Sequence, residues 1–474
     1  MNSNLGDGAL DSLIIDSCAR NRLIAGAGAP ISLSAGYGAR TKGSGRLYER
    51  ARKVFAGGVN HNARFYEPYP IFVSKAKGQH IWDEDGNRYT DYWMGHMALI
   101  LGHSPRVVVD ALRDQIGRGT HFGMGSRFSV ELGEEIQKSV PCAEEMRFCN
   151  TGAEATMYLV RLARAYTRRR TVVKMAGGWH GYNTELNKGV HTPFDRPESA
   201  GILEEEQAHV KNVKFNDLGA VEEELRRSKG DVAAIFLEPV LGAGGCIPAD
   251  RDYLKGLREL ADANGVLLCF DEIITGFRLA LGGAQEWYGV TPDLASLGKI
   301  AGGGLPIGMV CGRKEILELA DPSKKTEGFV SIGGGTFSEN PLTMVAGLAT
   351  VRHLRKNAES IYPHLEAMGK TVRAGVDNAF AETGVEVHTT GLGSLFLTHF
   401  GKEPMNAEEA VKENRKTRLE YSLRLMNKGI FVLPGHPGGV SASHTLDDVK
   451  ELTAQSGRVA ESLGGSRKQG FEGR

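Results

Sequence analysis

The chain carries no net charge: 57 lysines and arginines face 57 aspartates and glutamates across 474 residues. Without a basic excess there is no electrostatic footprint for nucleic acid or an anionic membrane. Arg168-Arg169-Arg170 is an isolated run, offset by acidic ones such as Glu204-Glu205-Glu206. Cysteine is scarce, and Cys18, Cys142, Cys149, Cys246, Cys269 and Cys311 include no close pair. That spacing excludes a zinc knuckle or a redox pair, so no metal site is expected and the thiols read as buried and free. No run is long and apolar enough to cross a bilayer. Met1–Gly8 lacks the basic-then-apolar pattern of a secretory leader. A cytoplasmic protein whose partners are small molecules is expected, with neither nucleic acid nor membrane among them.

Glycine is in excess: 62 residues, about 13% against a usual ~7%. The glycines follow no collagen or solenoid period. They cluster at Gly57-Gly58, Gly177-Gly178, Gly242–Gly245, Gly302–Gly304, Gly333–Gly335 and Gly435–Gly439. Clusters between apolar runs mark tight turns or close approaches of backbone to a ligand; generous loop usage explains any single one equally well.

Residues 1–45 read as an extension, disordered or draped on the surface, with a short helix near Leu13–Leu23. Alternation over 71–92, broken at Asp85-Gly86-Asn87, predicts a hairpin. Val107–Ile116 and Ser129–Ser139 have helical spacing. Apolar strands at Met146–Cys149, Thr171–Met175, Val232–Leu237 and Val266–Phe270 then alternate with helices at Glu154–Thr167 and Tyr253–Asn264. That alternation predicts an α/β fold with a largely parallel sheet. The large domain is placed at 95–345, and 46–94 with 346–474 form a smaller α+β domain.

Three segments carry chemistry. Asp271 and Glu272 directly follow an apolar strand, where α/β sheets bind ligands. A carboxylate there can act as a base, hold a metal or pair with a cofactor cation. Lys299 follows a short apolar strand and precedes a glycine triplet; partial desolvation would lower its pKa and free the amine to attack a carbonyl. A surface lysine beside a loop is the plainer reading. At Asn150-Thr151-Gly152-Ala153 a strand gives way to a capped helix whose first N–H groups suit a phosphate. Neither the P-loop nor the dinucleotide pattern is present.

Taken in order, Asn150-Thr151-Gly152-Ala153-Glu154-Ala155, Trp179-His180-Gly181, Glu238-Pro239-Val240, Asp271-Glu272-Ile273, Leu297-Gly298-Lys299 and Gly335-Thr336-Phe337 resemble the class III aminotransferases. These are pyridoxal-phosphate (PLP) enzymes of fold type I, with a mostly parallel seven-stranded sheet in the large domain. The nearest branch is that of glutamate-1-semialdehyde aminomutase, and the likeness covers roughly residues 48 to 455. The resemblance implies that Lys299 is the Schiff-base lysine and proton carrier, and that Asp271 pairs with the pyridine nitrogen. It implies that Thr151, Gly152 and Ala153 hold the phosphate, and that Trp179 and Ile273 cover the two ring faces. His180 and Glu238 would lie beside the cofactor. Thr336 would reach the neighbouring subunit's phosphate, in a homodimer with sites at its interface.

Arg64 falls where that branch carries an arginine for the substrate carboxylate. Two segments depart from the mutases: Gly95-His96-Met97-Ala98, and Pro434-Gly435-His436-Pro437-Gly438-Gly439, which lacks a glutamate. Arg127 stands where the mutases have an acid. His61, Arg64, His96, Arg127 and His436 are the candidates for substrate recognition. The expected activity is amino transfer from a carboxylate-bearing, bulky or aromatic amino acid to a 2-oxo acid. An intramolecular aminomutase and an amino-acid racemase or epimerase are the alternatives.

Overall fold

The computed structural model describes residues 31–468 apart from 326 and 382. The helix expected near Leu13–Leu23, and Cys18, lie outside the described residues. Residues 31–45 are not a loose extension. They belong to helices Ile31–Arg40 and Lys42–Ala51, anchored where buried Tyr37 donates its hydroxyl to Tyr69 O.

A hairpin begins the smaller part: β1 (Val73–Lys77), β2 (His80–Asp83) and β3 (Arg88–Asp91) pair antiparallel, turning at Gly86. Seven strands then build the large sheet, interleaved with a short two-stranded pair. These are β4 (Glu145–Cys149), β5 (Thr171–Met175), β6 (Val210–Val213), β7 (Val232–Leu237), the pair β8 (Val240–Leu241) and β9 (Ile247–Pro248), β10 (Leu267–Glu272), β11 (Leu294–Gly298) and β12 (Gly308–Gly312). The large sheet's order is β4-β12-β11-β10-β7-β5-β6. Only β12 runs against the others, pairing antiparallel with both β11 and β4. The sheet is thus the mostly parallel one expected.

The residue types explain it. β5, β7, β10 and β11 are buried along their whole length, as strands covered by helices on both faces must be. The helix Arg251–Asn264 buries Tyr253, Leu254, Leu257 and Ala261 on one face and stops at left-handed Gly265. The helix Gly152–Thr167 opens with a reciprocal capping box between Thr151 and Glu154. All these crossovers leave the carboxyl ends of β7, β10 and β11 side by side.

The remaining strands are β13 (Val387–Thr390), β14 (Leu395–Phe400), β15 (Ile430–Phe431) and β16 (Gly438–Gly439). β15 joins the hairpin parallel to β3, while β13-β14-β16 form a separate sheet. The helix Pro341–Lys356 packs on Arg106–Ile116 and Arg127–Gln137, and Ala358–Ala381 packs on the last helix, Leu446–Lys468. The expected boundary at 345/346 falls within the helix Pro341–Lys356. Gly438, left open by the sequence, is explained by space: a Cβ on it would lie 2.6 Å from the Phe396 ring. Cys142, Cys149, Cys246, Cys269 and Cys311 are free and buried.

Candidate active site

Asp271 ends β10, only 4% exposed. Its Oδ2 accepts from His180 Nδ1 at 2.8 Å, and its Oδ1 from Ser296 Oγ at 3.0 Å and Ile273 N at 3.1 Å. Three donors to one carboxylate fix its direction. Burial lowers the His180 pKa even against the neighbouring carboxylate, so the ring is neutral and its proton sits on Nδ1. His180 Nε2 is buried with no hydrogen-bond partner among the described residues.

Lys299 follows β11 directly and has a left-handed backbone, φ 43°. A lysine held there is strained, and such strain gathers at functional sites. Burial lowers its pKa to about 8, while Asp271 and Glu238 pull it back up and Arg278 pushes it down further. Glu238 lies just past β7, accepting from Trp179 N at 2.9 Å and Gly242 N at 3.1 Å. Burial first, then the Asp271 charge, raises its pKa. It thereby anchors the loop that carries Trp179 and His180.

At the start of Gly152–Thr167, the Thr151 hydroxyl accepts from Glu154 N at 3.2 Å, and Glu154 Oε2 accepts from Asn150 N and Thr151 N. The N–H groups of Gly152 and Ala153 are left without intrahelical partners, facing outward at the positive end of the helix. Gly152 is required by its neighbour: a Cβ would lie 2.9 Å from Ile273 Cδ1. Thr336 is exposed on a loop whose Gly334 O accepts from Asn150 Nδ2 at 3.0 Å.

This donor set fits PLP. An anionic acceptor fixed at Asp271, an amine of lowered pKa at Lys299, and open N–H groups at a helix start match a pyridine N–H, an aldehyde and a phosphate.

A wall of rings gathers around His96, which lies within electrostatic reach of Lys299. His61 and His96 pack tilted at 54° with centroids 4.7 Å apart; Trp93 lies 4.4 Å from His96 and 5.4 Å from His436. His96 sits on a turn in which Met94, Gly95, His96 and Met97 all have positive φ. Asp91 holds that turn, its Oδ1 accepting from Trp93 N and Met94 N and its Oδ2 from His103 Nε2. Burial drives His96 down to about 3 and His436 to about 4, so the wall is uncharged near neutral pH. Arg64 is exposed, within electrostatic reach of both His61 and His96.

The structure does not bring Arg127 to this group. Its guanidinium lies over the ring of Phe128 and lines a surface hollow with Asp114, Gln115, Arg118 and Arg352. Ser296, Trp93, Asp91 and Arg278 were missed from sequence. Ser296 alone left a signal, as a polar residue inside an all-buried strand.

The chain matches the family model "Aminotransferase class-III" over residues 61–452. It is 40% identical over 426 residues to a glutamate-1-semialdehyde 2,1-aminomutase of Archaeoglobus fulgidus, covering 89% of this chain and 99% of that protein. Its fold is similar to that of an omega-transaminase from Sphaerobacter thermophilus, with TM-score 0.83, 32% identity and coverage of 89% and 97%. It is also similar to a beta-phenylalanine aminotransferase from Variovorax paradoxus, with TM-score 0.82, 28% identity and coverage of 92% and 97%. By its sheet, its site and these likenesses, the chain belongs to the class III aminotransferases, a PLP-dependent family of fold type I.

Proposed function

We propose that the protein is an aminotransferase, moving an amino group from a carboxylate-bearing, bulky or aromatic amino acid to a 2-oxo acid. The observation that carries this reading is the uncharged wall of His61, Trp93, His96 and His436, whose His96 lies within electrostatic reach of Lys299. Flat, neutral rings offer stacking area and little to a charged side chain. When bound, PLP supplies an aldehyde that captures amines and a ring that withdraws electrons from the substrate carbon.

The chain's residues do the rest. Asp271, its direction held by His180, Ser296 and Ile273 N, would pair with the protonated ring nitrogen of the cofactor. Lys299 Nζ, with its lowered pKa, would carry the proton from the substrate carbon across the nitrogen to the cofactor's aldehyde carbon. Gly152 and Ala153 N–H, with the Thr151 hydroxyl, hold the phosphate. Trp179 and Ile273 confine the ring between them. Arg64 receives the substrate carboxylate. In a homodimer with sites at its interface, Thr336, exposed on its loop, would serve the partner's phosphate site.

The mutase reading has its own support in the 40% identity to an aminomutase. The two predict different stoichiometry. The PLP-loaded protein is screened with amino donors against pyruvate and 2-oxoglutarate, following both products. Transfer that requires the external acceptor supports the proposal; turnover of one substrate without an acceptor replaces it with the mutase.

A further inference from the structure

Arg278 is among the most deeply buried charged side chains, 2% exposed, yet no carboxylate among the described residues forms an ion pair with it. An uncompensated buried guanidinium is costly and calls for a reason. Its contacts supply one. Nη2 donates to the carbonyl of Met97, at the end of the positive-φ turn that carries His96. Nη1 donates to Ser394 Oγ at 3.0 Å, just before β14. Gly439 lies against the guanidinium: a Cβ there would meet Nη1 at 3.4 Å, an ordinary packing distance.

The backbone repeats the link. Gly439 N donates to Tyr92 O at 2.7 Å and Val440 N to Ser394 O at 2.9 Å, so β16 and the residue after it run between the His96 turn and β14. Phe277, beside Arg278, is itself left-handed at φ 58°.

We propose that Arg278 is a positioning residue, pinning the turn that carries His96 to the strand end at Ser394 so that the substrate wall is set by the smaller domain. The turn would otherwise relax, since Met94, His96 and Met97 all hold φ values that L residues avoid. Asp91 fixes the front of the turn and Arg278 its back. The inference rests on the aminotransferase reading for its assay, but its geometry stands apart from it.

The test uses PLP-loaded wild type and the variants Arg278→Lys, Arg278→Met and Ser394→Ala, each assayed over a range of donor concentrations. Arg278→Met is expected to raise the donor KM at least about tenfold while kcat falls less than about threefold, and Arg278→Lys to recover part of the KM. Ser394→Ala, which removes only the Nη1 partner, is expected to raise KM about threefold with the melting temperature nearly unchanged. Added readout comes from equilibrium binding of a non-reactive arylcarboxylate, whose Kd should follow KM. If Arg278→Met does not fold, Ser394→Ala decides. Unchanged KM and Kd in the folded variants, with only stability lowered, overturn the proposal. Failure of wild type to use any donor with any acceptor overturns the aminotransferase reading instead, and the arylcarboxylate Kd series still judges Arg278.

Discussion

The imidazole of His180 and the carboxylate of Asp271 form a buried pair, Nδ1 to Oδ2 at 2.8 Å, with Ser296 closing the other oxygen at 3.0 Å. The pair fixes a negative charge in a place from which water is excluded, and its value to the reaction lies in that fixed direction.

Asp271→Asn keeps the shape and loses the charge. It is expected to lower kcat at least about 100-fold, and Ser296→Ala about tenfold, since one hydrogen bond to a charged group is worth ~1.5–3 kcal/mol. Single-turnover absorbance changes on adding the donor measure both. An Asp271→Asn variant with wild-type kcat would remove Asp271 from the chemistry.

Lys299 titrates near pH 8 rather than at the ordinary lysine value, because burial penalises its ammonium form. Covalent capture of added PLP by the apo-protein should therefore accelerate with pH and level off just above 8. Lys299→Ala should abolish capture. A rate still climbing through pH 10 would show an ordinary, solvated lysine.

His444 is 1% exposed, and its Nδ1 accepts from Ser441 N at 3.0 Å, a bond that only the unprotonated nitrogen can make. Burial lowers its pKa to about 4, as it does for His436. Between the ordinary imidazole value of about 6.5 and 4, the unfolded chain binds protons that the folded chain refuses. Stability is therefore full above pH 7 and is lost as pH falls through that window, by about 1 kcal/mol from His444 at pH 5.5. His444→Asn should narrow the gap between melting temperatures at pH 7.5 and 5.5. A gap of unchanged size would mean that His444 is already charged in the fold.

Gly152→Ala places a Cβ 2.9 Å from Ile273 Cδ1 and 3.1 Å from its Cγ1. Overpacking of this kind costs about 1–3 kcal/mol, here paid at the phosphate end of the site. PLP affinity should fall about tenfold or more, measured by titrating the apo-protein, with a smaller drop in melting temperature. Undiminished affinity would show that the helix start yields without disturbing the cofactor seat.

The sheet and the cofactor seat were legible in the sequence because each part is local. A buried strand is a run of apolar residues, and Asp271 and Lys299 stand at or immediately after the end of one, with Thr151 two residues past β4. Arg278 left no such mark, because its partners lie far along the chain: Met97 and Ser394 are 181 and 116 residues from it. Asp91 and Trp93 act through a local turn whose left-handed backbone has no apolar periodicity to announce it. Arg127, singled out because relatives carry an acid in that stretch, starts the helix Arg127–Gln137 with its guanidinium over Phe128 and is not among the rings gathered around His96 of the same protomer. Residues 31–45 looked loose because glycine, serine and alanine carry no helical pattern, and their order comes from Tyr37 reaching Tyr69.

The strip from Gly438 to Ala442 joins two remote pieces of chain, bonding to Tyr92 and Ile100 on one side and to Ser394 on the other. The cofactor-seat residues that one protomer gives its own site lie in one stretch, from Thr151 to Lys299, with Thr336 assigned to the partner's site, but the ring wall needs both ends of the polypeptide. The two are therefore separable in descent: mutations in the flanking segments can rewrite which molecule enters while the catalytic middle stays untouched.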